Sequence, residues 1–275
     1  MTRTRDVGQL QELARLVRLD IVEMLHRAGS GHLGGSLSAA DLLVSLFFGV
    51  LRLDPQDLCT PHRDRFVLSK GHAAPVYYAV LSRLGLFPRE ELFSLRQFGS
   101  SLQGHPDASC TPGVEVSTGS LGQGLSVANG LALAARLDGS GQRVFILMGD
   151  GEVQEGQIWE AAMSASHFGL DNLTALLDRN RLQIDGHTSE VMALEPLVQK
   201  WQAFGWNTLE IDGHDIPAIL DALDQLANLK GKPGIIIANT VKGKGVSIFE
   251  NQKKYHGVAP NPEEYRQALA ELDGV

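Results

Sequence analysis

The chain has 275 residues, 43% of them hydrophobic and 20% charged, and a formal net charge of −8. That balance provides no basic stripe for nucleic acid, and the length fits a single α/β domain with one core. Cys59 and Cys110 stand far apart without CxxC spacing, which excludes a disulfide framework or thiolate zinc site and suits a reducing cytoplasm. The basic start, residues 1–5, has no apolar h-region behind it. The longest apolar stretch, around residues 42–51, is too short to cross a bilayer. A soluble intracellular protein is expected.

In chain order, Leu10, Leu13, Val17, Ile21 and Met24 recur at spacings of three or four, which predicts an amphipathic helix over residues 10–27, stopped by Gly29 and Gly31. Ser38 and Asp41 make a capping-box pattern ahead of residues 42–48. That second helix is apolar around its whole circumference and so is expected to be buried in the protein or in an interface. A short strand is predicted at residues 66–68 and a helix at 73–84, ended by Gly85. Residues 99–116 read as loop, leading to a glycine cluster and an Ala-rich helix over 125–137. Apolar runs at 144–148 and 173–177 read as strands with helix-like sequence between them. The same grammar then repeats: helix 197–204 closed by Gly205, strand 207–211, helix 216–229, strand 235–238. This alternation argues for an α/β fold, a mostly parallel sheet with helices on both faces.

Gly149-Asp150-Gly151 ends the first central strand and Asn180 follows the second, so both belong to one βαβ unit. Such crossovers are right-handed, and open α/β sheets bind ligands beyond the carboxyl ends of their strands, so Asp150 and Asn180 should meet at one mouth. A carboxylate and an amide oxygen there suit Mg²⁺, which takes hard oxygen ligands and often shares them with phosphates. Taken alone, the aspartate is equally well a helix cap and the asparagine a turn residue.

Four further segments fall at ligand-side positions. Ser30-Gly31-His32-Leu33-Gly34-Gly35 is a flexible turn carrying an imidazole, Ser69-Lys70-Gly71-His72 follows a strand, and Gln103-Gly104-His105-Pro106-Asp107 lies in the long loop. The fourth, Ser117-Thr118-Gly119-Ser120-Leu121-Gly122-Gln123-Gly124, opens a helix, where exposed N–H groups suit phosphate or tight packing. Its GxxGxG order is not a Rossmann fingerprint, and GxxxxGK[ST] does not occur, which argues against nucleotide binding of either kind. Three histidines directly after glycine (His32, His72, His105) bring groups that titrate near neutrality close to a ligand, and His256 before Gly257 is a candidate fourth. Lys242, Lys244, Lys253 and Lys254 form a local basic cluster, either an anion site or a solvated loop.

Together these segments resemble the N-terminal, thiamine diphosphate-binding half of transketolases, in the form split between two polypeptides. The likeness runs from about residue 10 to about residue 260. It rests on the SGH, SKGHA, GHP, TGSLGQG and GDG segments, with Glu155-Gly156, Asn180, Lys242-Gly243-Lys244-Gly245 and His256-Gly257. The resemblance implies one diphosphate-binding domain over residues 1–275, with the pyrimidine-binding and C-terminal domains on a partner chain. It implies that Asp150, the Asn180 side chain and the Leu182 carbonyl hold Mg²⁺, and that His72, Gly151 and Lys244 lie at the diphosphate. Lys70 and Gly149 join them in binding the cofactor, and Gly119, Ser120 and Leu121 lie at its aminopyrimidine. His32, His105 and His256 are implied as the catalytic lining of the channel to the thiazolium, bonding ketose hydroxyls and moving protons. Glu155, grouped with the cofactor residues, is implied to face the partner. Leu33 departs from the family, many full-length members having proline there.

The implied activity is transfer of a two-carbon glycolaldehyde unit from a ketose phosphate to an aldose phosphate, with the hard chemistry carried by the cofactor. The glutamate that activates the aminopyrimidine comes from the pyrimidine-binding domain, so this subunit is expected to be inactive without its C-terminal partner. A heterotetramer acting in the cytoplasm on the pentose phosphate pathway is expected, with no nucleic acid or membrane involved. The alternatives are the thiamine-binding subunit of another thiamine enzyme, either a specialised-sugar transketolase, a deoxyxylulose phosphate synthase or a 2-oxo acid dehydrogenase, and a non-catalytic regulatory paralogue. The GHP and LGQG segments argue against the synthase and the dehydrogenase. Retention of Asp150, Asn180 and four histidines argues against the paralogue.

Overall fold

In the computed structural model, which describes residues 3–274, five strands form one all-parallel sheet. Met1 and Thr2 of the basic start lie outside the described residues. The strands are β1 (Arg65–Leu68), β2 (Val144–Gly149), β3 (Leu173–Arg179), β4 (Asn207–Asp212) and β5 (Gly234–Asn239), paired in the order β1-β2-β3-β5-β4. The helices, in chain order, are α1 (Val7–Ala28), α2 (Gly34–Ser38), α3 (Ala40–Val44), α4 (Ala74–Leu84) and α5 (Gly124–Leu137). They continue with α6 (Gly156–His167), α7 (Thr188–Val191), α8 (Leu197–Ala203), α9 (Ile216–Asn228) and α10 (Pro262–Asp273).

Two hydrophobic clusters, one on each side, explain why the central strands read as unbroken apolar runs. Along β2, Phe145 and Leu147 pack with α1, α3, α4, α9 and α10, whereas Val144, Ile146 and Met148 pack with α5, α6 and α8. A strand covered on both faces needs apolar residues at successive positions. The chain lays down β1, β2 and β3 side by side, skips to the far edge for β4, and returns through α9 to place β5 beside β3. Consequently the carboxyl ends of β1, β2, β3 and β5 are neighbours along one sheet edge.

The predicted helix at residues 42–48 is real but begins earlier, and it passes from α3 into a π-helical turn, Ser45–Val50. Every residue from Ala40 to Val50 is buried, covered by the chain's own α1, α4 and α9. Its apolar circumference is therefore satisfied within the fold and calls for no separate interface. The expected capping box does not form, because Ala39 already has right-handed helical backbone and α3 has no free end to cap. Ser38 Oγ instead donates to Gly35 O at 3.2 Å and Asp178 Oδ2 at 2.6 Å, while Asp41 turns to Arg18 and His214. A true capping box starts α10, where Asn261 and Glu264 satisfy each other's backbone N–H groups behind Pro262.

Close backbone approach locks the glycine cluster against β1. A Cβ on Gly124 would lie 2.2 Å from Ser69 Oγ and 2.9 Å from Ser69 Cα, and one on Gly71 would lie 2.8 Å from the Thr118 backbone. Glycine is required here to let α5 start directly behind the strand end. Gly124→Ala is expected to destabilise the fold by about 1–3 kcal/mol through overpacking. Gly130→Ala in the same helix, where an added methyl meets nothing within 4 Å, is expected to be neutral or to stabilise by up to about 1 kcal/mol. Urea unfolding of the two variants distinguishes them.

Candidate functional site at the carboxyl edge of the sheet

Four adjacent strand ends deliver four polar side chains to one cavity: Lys70 after β1, Asp150 after β2, Asn180 after β3 and Lys242 after β5. The cavity has a volume of about 250 Å³, and His72 and His256 form another part of its wall. A larger, more open cleft of about 650 Å³ lies at the opposite sheet edge around Arg52, Arg136 and Arg143, and none of the residues above reaches it.

The floor is a buried ion pair. Lys70 Nζ donates to Asp178 Oδ2 and, at 2.8 Å, to Gly35 O. Asp178 also accepts from Ser38 and from Thr240 Oγ1. Both charged side chains are shut off from water, at 1% and 0% exposure. Isolated burial of either charge would be prohibitive, but here each has a charged partner and further hydrogen bonds. Glu152 provides a second tie, accepting from Ser69 Oγ and from the N–H groups of Gly122 and Gly149 at 3.1 Å each. It joins β1, the glycine cluster and the GDG turn.

Above this floor the oxygen donors converge. Asp150 accepts from Gly151 N at 2.9 Å and Arg181 N at 2.5 Å, yet burial and then the nearby Asp178 charge push its carboxyl up to about 6. Asn180 Oδ1 accepts from Leu182 N at 3.1 Å, which holds the Leu182 peptide in place. The Leu182 carbonyl accepts from Lys242 Nζ at 3.0 Å, and the same ammonium lies 2.9 Å from His256 Nδ1. Burial and the Lys70 charge lower Lys242 to about 8. Asp150, Asn180 and Leu182 all line this cavity and bring it hard oxygens of the kind that could hold a cation such as Mg²⁺. Among the described residues no group of three or more His, Cys, Asp or Glu could hold a metal ion. Gly35 borders the same cavity, and a Cβ there would stand 3.7 Å from His72 Nε2 and 3.8 Å from Lys70 Nζ, in ordinary contact.

The expected histidines gather in one cluster, His32, His72 and His256 in a triangle with His105 beside His32. His72 and His256 stack at 5.4 Å between centroids, and His32 lies 5.2 Å from His72, 5.5 Å from His256 and 6.2 Å from His105. Burial, followed by neighbouring cations or imidazoles, lowers His32 to about 4, His256 to about 3 and His72 to about 2, and it lowers His105 as well. All four are neutral at pH 7, so each offers one donor and one acceptor nitrogen. Gly119 lies against the His105 ring, where a Cβ would be 3.4 Å away, Ser120 is exposed beside it, and Leu121 reaches the cavity wall. Gly149 and Gly151 line the cavity, and Glu155 stands exposed at its rim.

Lys244 is the exception. Its ammonium lies 3.6 Å from Glu250 Oε1 on the partly exposed side, outside the cavity, and Lys242 takes the position expected of it. The left-handed turn at Gly243, φ +82°, separates the two lysines, and the repeated KG pair gives no sequence cue as to which one faces inward. Lys254 pairs with Glu264 at 2.8 Å, so the basic cluster does not act as a unit.

One positioning device had no sequence signal. Arg18 and His214 both bond Asp41, with His214 Nδ1 2.7 Å from Asp41 Oδ2. His214 Nε2 accepts from Val241 N at 2.9 Å, and Arg18 Nε donates to Lys244 O at 3.1 Å. A peptide N–H only donates, so Nδ1 carries the proton and Nε2 is the acceptor. The network clamps both ends of the segment that carries Lys242.

Residues 9–273 match the family described as transketolase, thiamine diphosphate binding domain. The chain belongs to the transketolase family. It is 45% identical over 264 residues to the 6-deoxy-6-sulfo-D-fructose transketolase subunit SqwG of Clostridium sp. strain MSTE9, covering 96% of each chain. It is 44% identical over 255 residues to an apulose-4-phosphate transketolase subunit of Phocaeicola vulgatus, covering 93% of this chain and 90% of that one. The solved transketolase of Campylobacter jejuni superposes with a TM-score of 0.91 at 35% identity, over 98% of this chain and 43% of that one. The chain therefore spans less than half of that transketolase and nearly the whole of the two named subunits. Among the described residues no helix is long and apolar enough to cross a membrane.

The clamp and the histidine cluster each give a test. His214→Ala in this transketolase-family chain is expected to free Val241 and weaken thiamine diphosphate affinity about tenfold, the worth of one hydrogen bond, while His214→Asn retains part of it; calorimetry reads both. For pH, a histidine whose folded pKa lies below its unfolded 6.5 contributes stability that is present above 6.5 and is lost as pH falls toward about 4 to 3. Asp150, raised from 3.8 to about 6, acts oppositely between those values. The free energy of unfolding is expected to fall from pH 7 to pH 5 and His72→Asn to flatten that slope, as urea melts at the two pH values will show.

Proposed function

We propose that this chain is the N-terminal, cofactor-binding subunit of a two-chain transketolase, transferring a two-carbon glycolaldehyde unit from an anionic ketose to an aldose. The observation that carries this reading is the convergence of Asp150, Asn180 and the Leu182 carbonyl with Lys70, His72 and Lys242 on one cavity. It is supported by a chain that nearly fills two relatives named as transketolase subunits. On this reading Asp150, Asn180 and Leu182 hold Mg²⁺, while His72, Lys242 and the Gly151 backbone face the diphosphate, with Lys70 fixing the floor behind them. Bound thiamine diphosphate supplies the carbon nucleophile and the electron sink. His32, His105 and His256, neutral and clustered, orient the sugar hydroxyls and hold or release protons at their ring nitrogens. Desolvation of these rings keeps their charge from competing with the cations below.

The chain is read as one diphosphate-binding domain. The pyrimidine-binding and C-terminal domains, with the activating glutamate, belong to a partner chain, two copies of each making the enzyme in the cytoplasm. Glu155 at the cavity rim faces that partner. Both of these relatives are named for unusual sugars, a sulfonated deoxyfructose and apulose-4-phosphate. That favours a transketolase specialised for one such sugar over one serving the pentose phosphate pathway.

Titration calorimetry of the chain with its partner is expected to show thiamine diphosphate binding that requires Mg²⁺. Asp150→Ala is expected to weaken it at least about 100-fold, the cost of a lost charged ligand, with poor recovery at excess Mg²⁺. Metal-independent binding, or full affinity in the variant, would refute the site. A panel of phosphorylated and sulfonated ketoses with aldose acceptors then identifies the substrates.

A further inference from the structure

The cleft at the amino edge of the sheet has no part in the reading above, and its walls are rich in positive charge. It lies where β2 and β3 begin, beside Phe145 and Thr174, and its volume of about 650 Å³ falls in the range of small-molecule sites. Arg3, Arg52, Arg136, Arg143 and Lys230 line it. Among the described residues of that lining Asp171 is the one carboxylate, and it accepts from Gly231 N at 2.9 Å. A chain with a net charge of −8 has thus gathered five of its 24 basic residues around one hollow. The described lining holds no histidine, cysteine or glutamate, which suits it to binding rather than to a second reaction.

Two of the cations are aimed by one carboxylate. Asp64, whose side chain is wholly buried, accepts through Oδ1 from Arg52 Nε at 3.0 Å and Nη2 at 2.6 Å. Through Oδ2 it accepts from Arg143 Nε at 3.1 Å and Nη2 at 2.5 Å. Burial pushes that carboxyl up, but the bonds from Arg143 and Arg52 outweigh it and hold it below the usual carboxylate range. Its single charge balances only one of the two guanidinium groups. Among the described residues nothing accepts from Nη1 of either. Arg143 also stands 5.2 Å from the centre of the Phe145 ring, so its fork is fixed before any ligand arrives.

The second pair rests on a different anchor. Arg136 Nη1 donates to Phe168 O at 2.5 Å and Gly169 O at 3.1 Å, just past the end of α6. Gly169 packs on Gly231, where an added Cβ would lie 3.1 Å from Gly231 O, and Lys230 is the residue before Gly231. Lys230 Nζ has one weak acceptor, Ala227 O at 3.3 Å, and Nε and Nη2 of Arg136 have none among the described residues. Asp171, bonded to Gly231 N, balances one charge here, as Asp64 does for the first pair. Each pair is left with one uncompensated cation. Guanidinium and ammonium groups held in this way match phosphoryl oxygens, and Phe145 and Leu223 add apolar wall.

We propose that this cleft binds a small metabolite carrying two phosphoryl groups, one on Arg52 and Arg143 and the other on Arg136 and Lys230, at a site separate from the cavity at the carboxyl edge.

Titration calorimetry of the full chain with a sugar bisphosphate and with inorganic pyrophosphate tests it. Wild type is compared with Lys242→Gln, which impairs the carboxyl-edge cavity, and with Arg136→Gln/Lys230→Gln, whose two side chains are exposed and whose loss leaves Asp64 fully paired. Bisphosphate binding is expected to survive Lys242→Gln and to weaken about 100-fold in the double variant, about tenfold for each charged hydrogen bond removed. Equal affinity in wild type and the double variant, loss of binding in Lys242→Gln alone, or no binding to wild type overturns the proposal. Pyrophosphate binding more tightly than the bisphosphate overturns the two-group arrangement.

The Phe145 ring supplies a second readout that needs no change at Lys242. Its resonances should shift when the bisphosphate is added to wild type and stay in place in the double variant. Binding that leaves them unmoved in wild type lies elsewhere and overturns the assignment. Neither measurement involves turnover, so the cleft stands or falls independently of the transketolase reading.

Discussion

Lys70 and Asp178 meet where no water reaches, and the geometry around the cavity hangs on that contact. The lysine comes from the end of β1 and the aspartate from β3, two strands with β2 between them. Through Gly35 O, Ser38 and Thr240 the pair also fixes α2 and the segment after β5. A buried ion pair is weak support for stability, because desolvation consumes most of its attraction. Its worth here is geometric: removing either member leaves an uncompensated buried charge, so the ends of β1, β3 and β5 are held to one arrangement. Asn180 follows β3, which carries Asp178, while Asp150 follows β2, whose end Glu152 ties to Ser69 through the Gly149 N–H.

The same pair sets the electrostatics above it. Burial is the largest cause of each shift, and beyond it Asp178 raises Asp150 while Lys70 lowers both Lys242 and His72. The outcome is a graded site: paired charges at the floor, a carboxylate and an ammonium poised close to neutrality above them, and uncharged imidazoles toward the opening. On the proposed reading, a cation and a diphosphate would meet complementary charge low in the cavity and neutral hydrogen-bonding groups near its mouth. Little reorganisation is needed there, and that preorganisation is what electrostatic catalysis requires.

Much of this was legible in the sequence, and the boundary of legibility has physical causes. Strand positions came from apolar runs that a doubly covered parallel sheet demands, and the meeting of Asp150 with Asn180 came from crossover handedness alone. The histidine cluster was foreseeable because glycine precedes three of its members. Hidden from the sequence were the contacts set by tertiary direction: which lysine of the KG repeat turns inward at Gly243, and why Ser38 and Asp41 abandon their cap for Asp178, Arg18 and His214. Helix α10 lay in between. Its Asn-Pro-x-Glu start is a readable cap, but its low apolar content conceals the helix behind it.

The two hydrophobic clusters are each closed by helices of this same chain, down to the wholly apolar segment at Ala40–Val50. Nothing in them waits on outside contacts to leave water. Folding therefore needs no partner to close either cluster, because burial around the sheet is completed by this chain's own helices. On the two-chain reading proposed above, the chain folds first as a scaffold and encounter with a second polypeptide decides when chemistry begins.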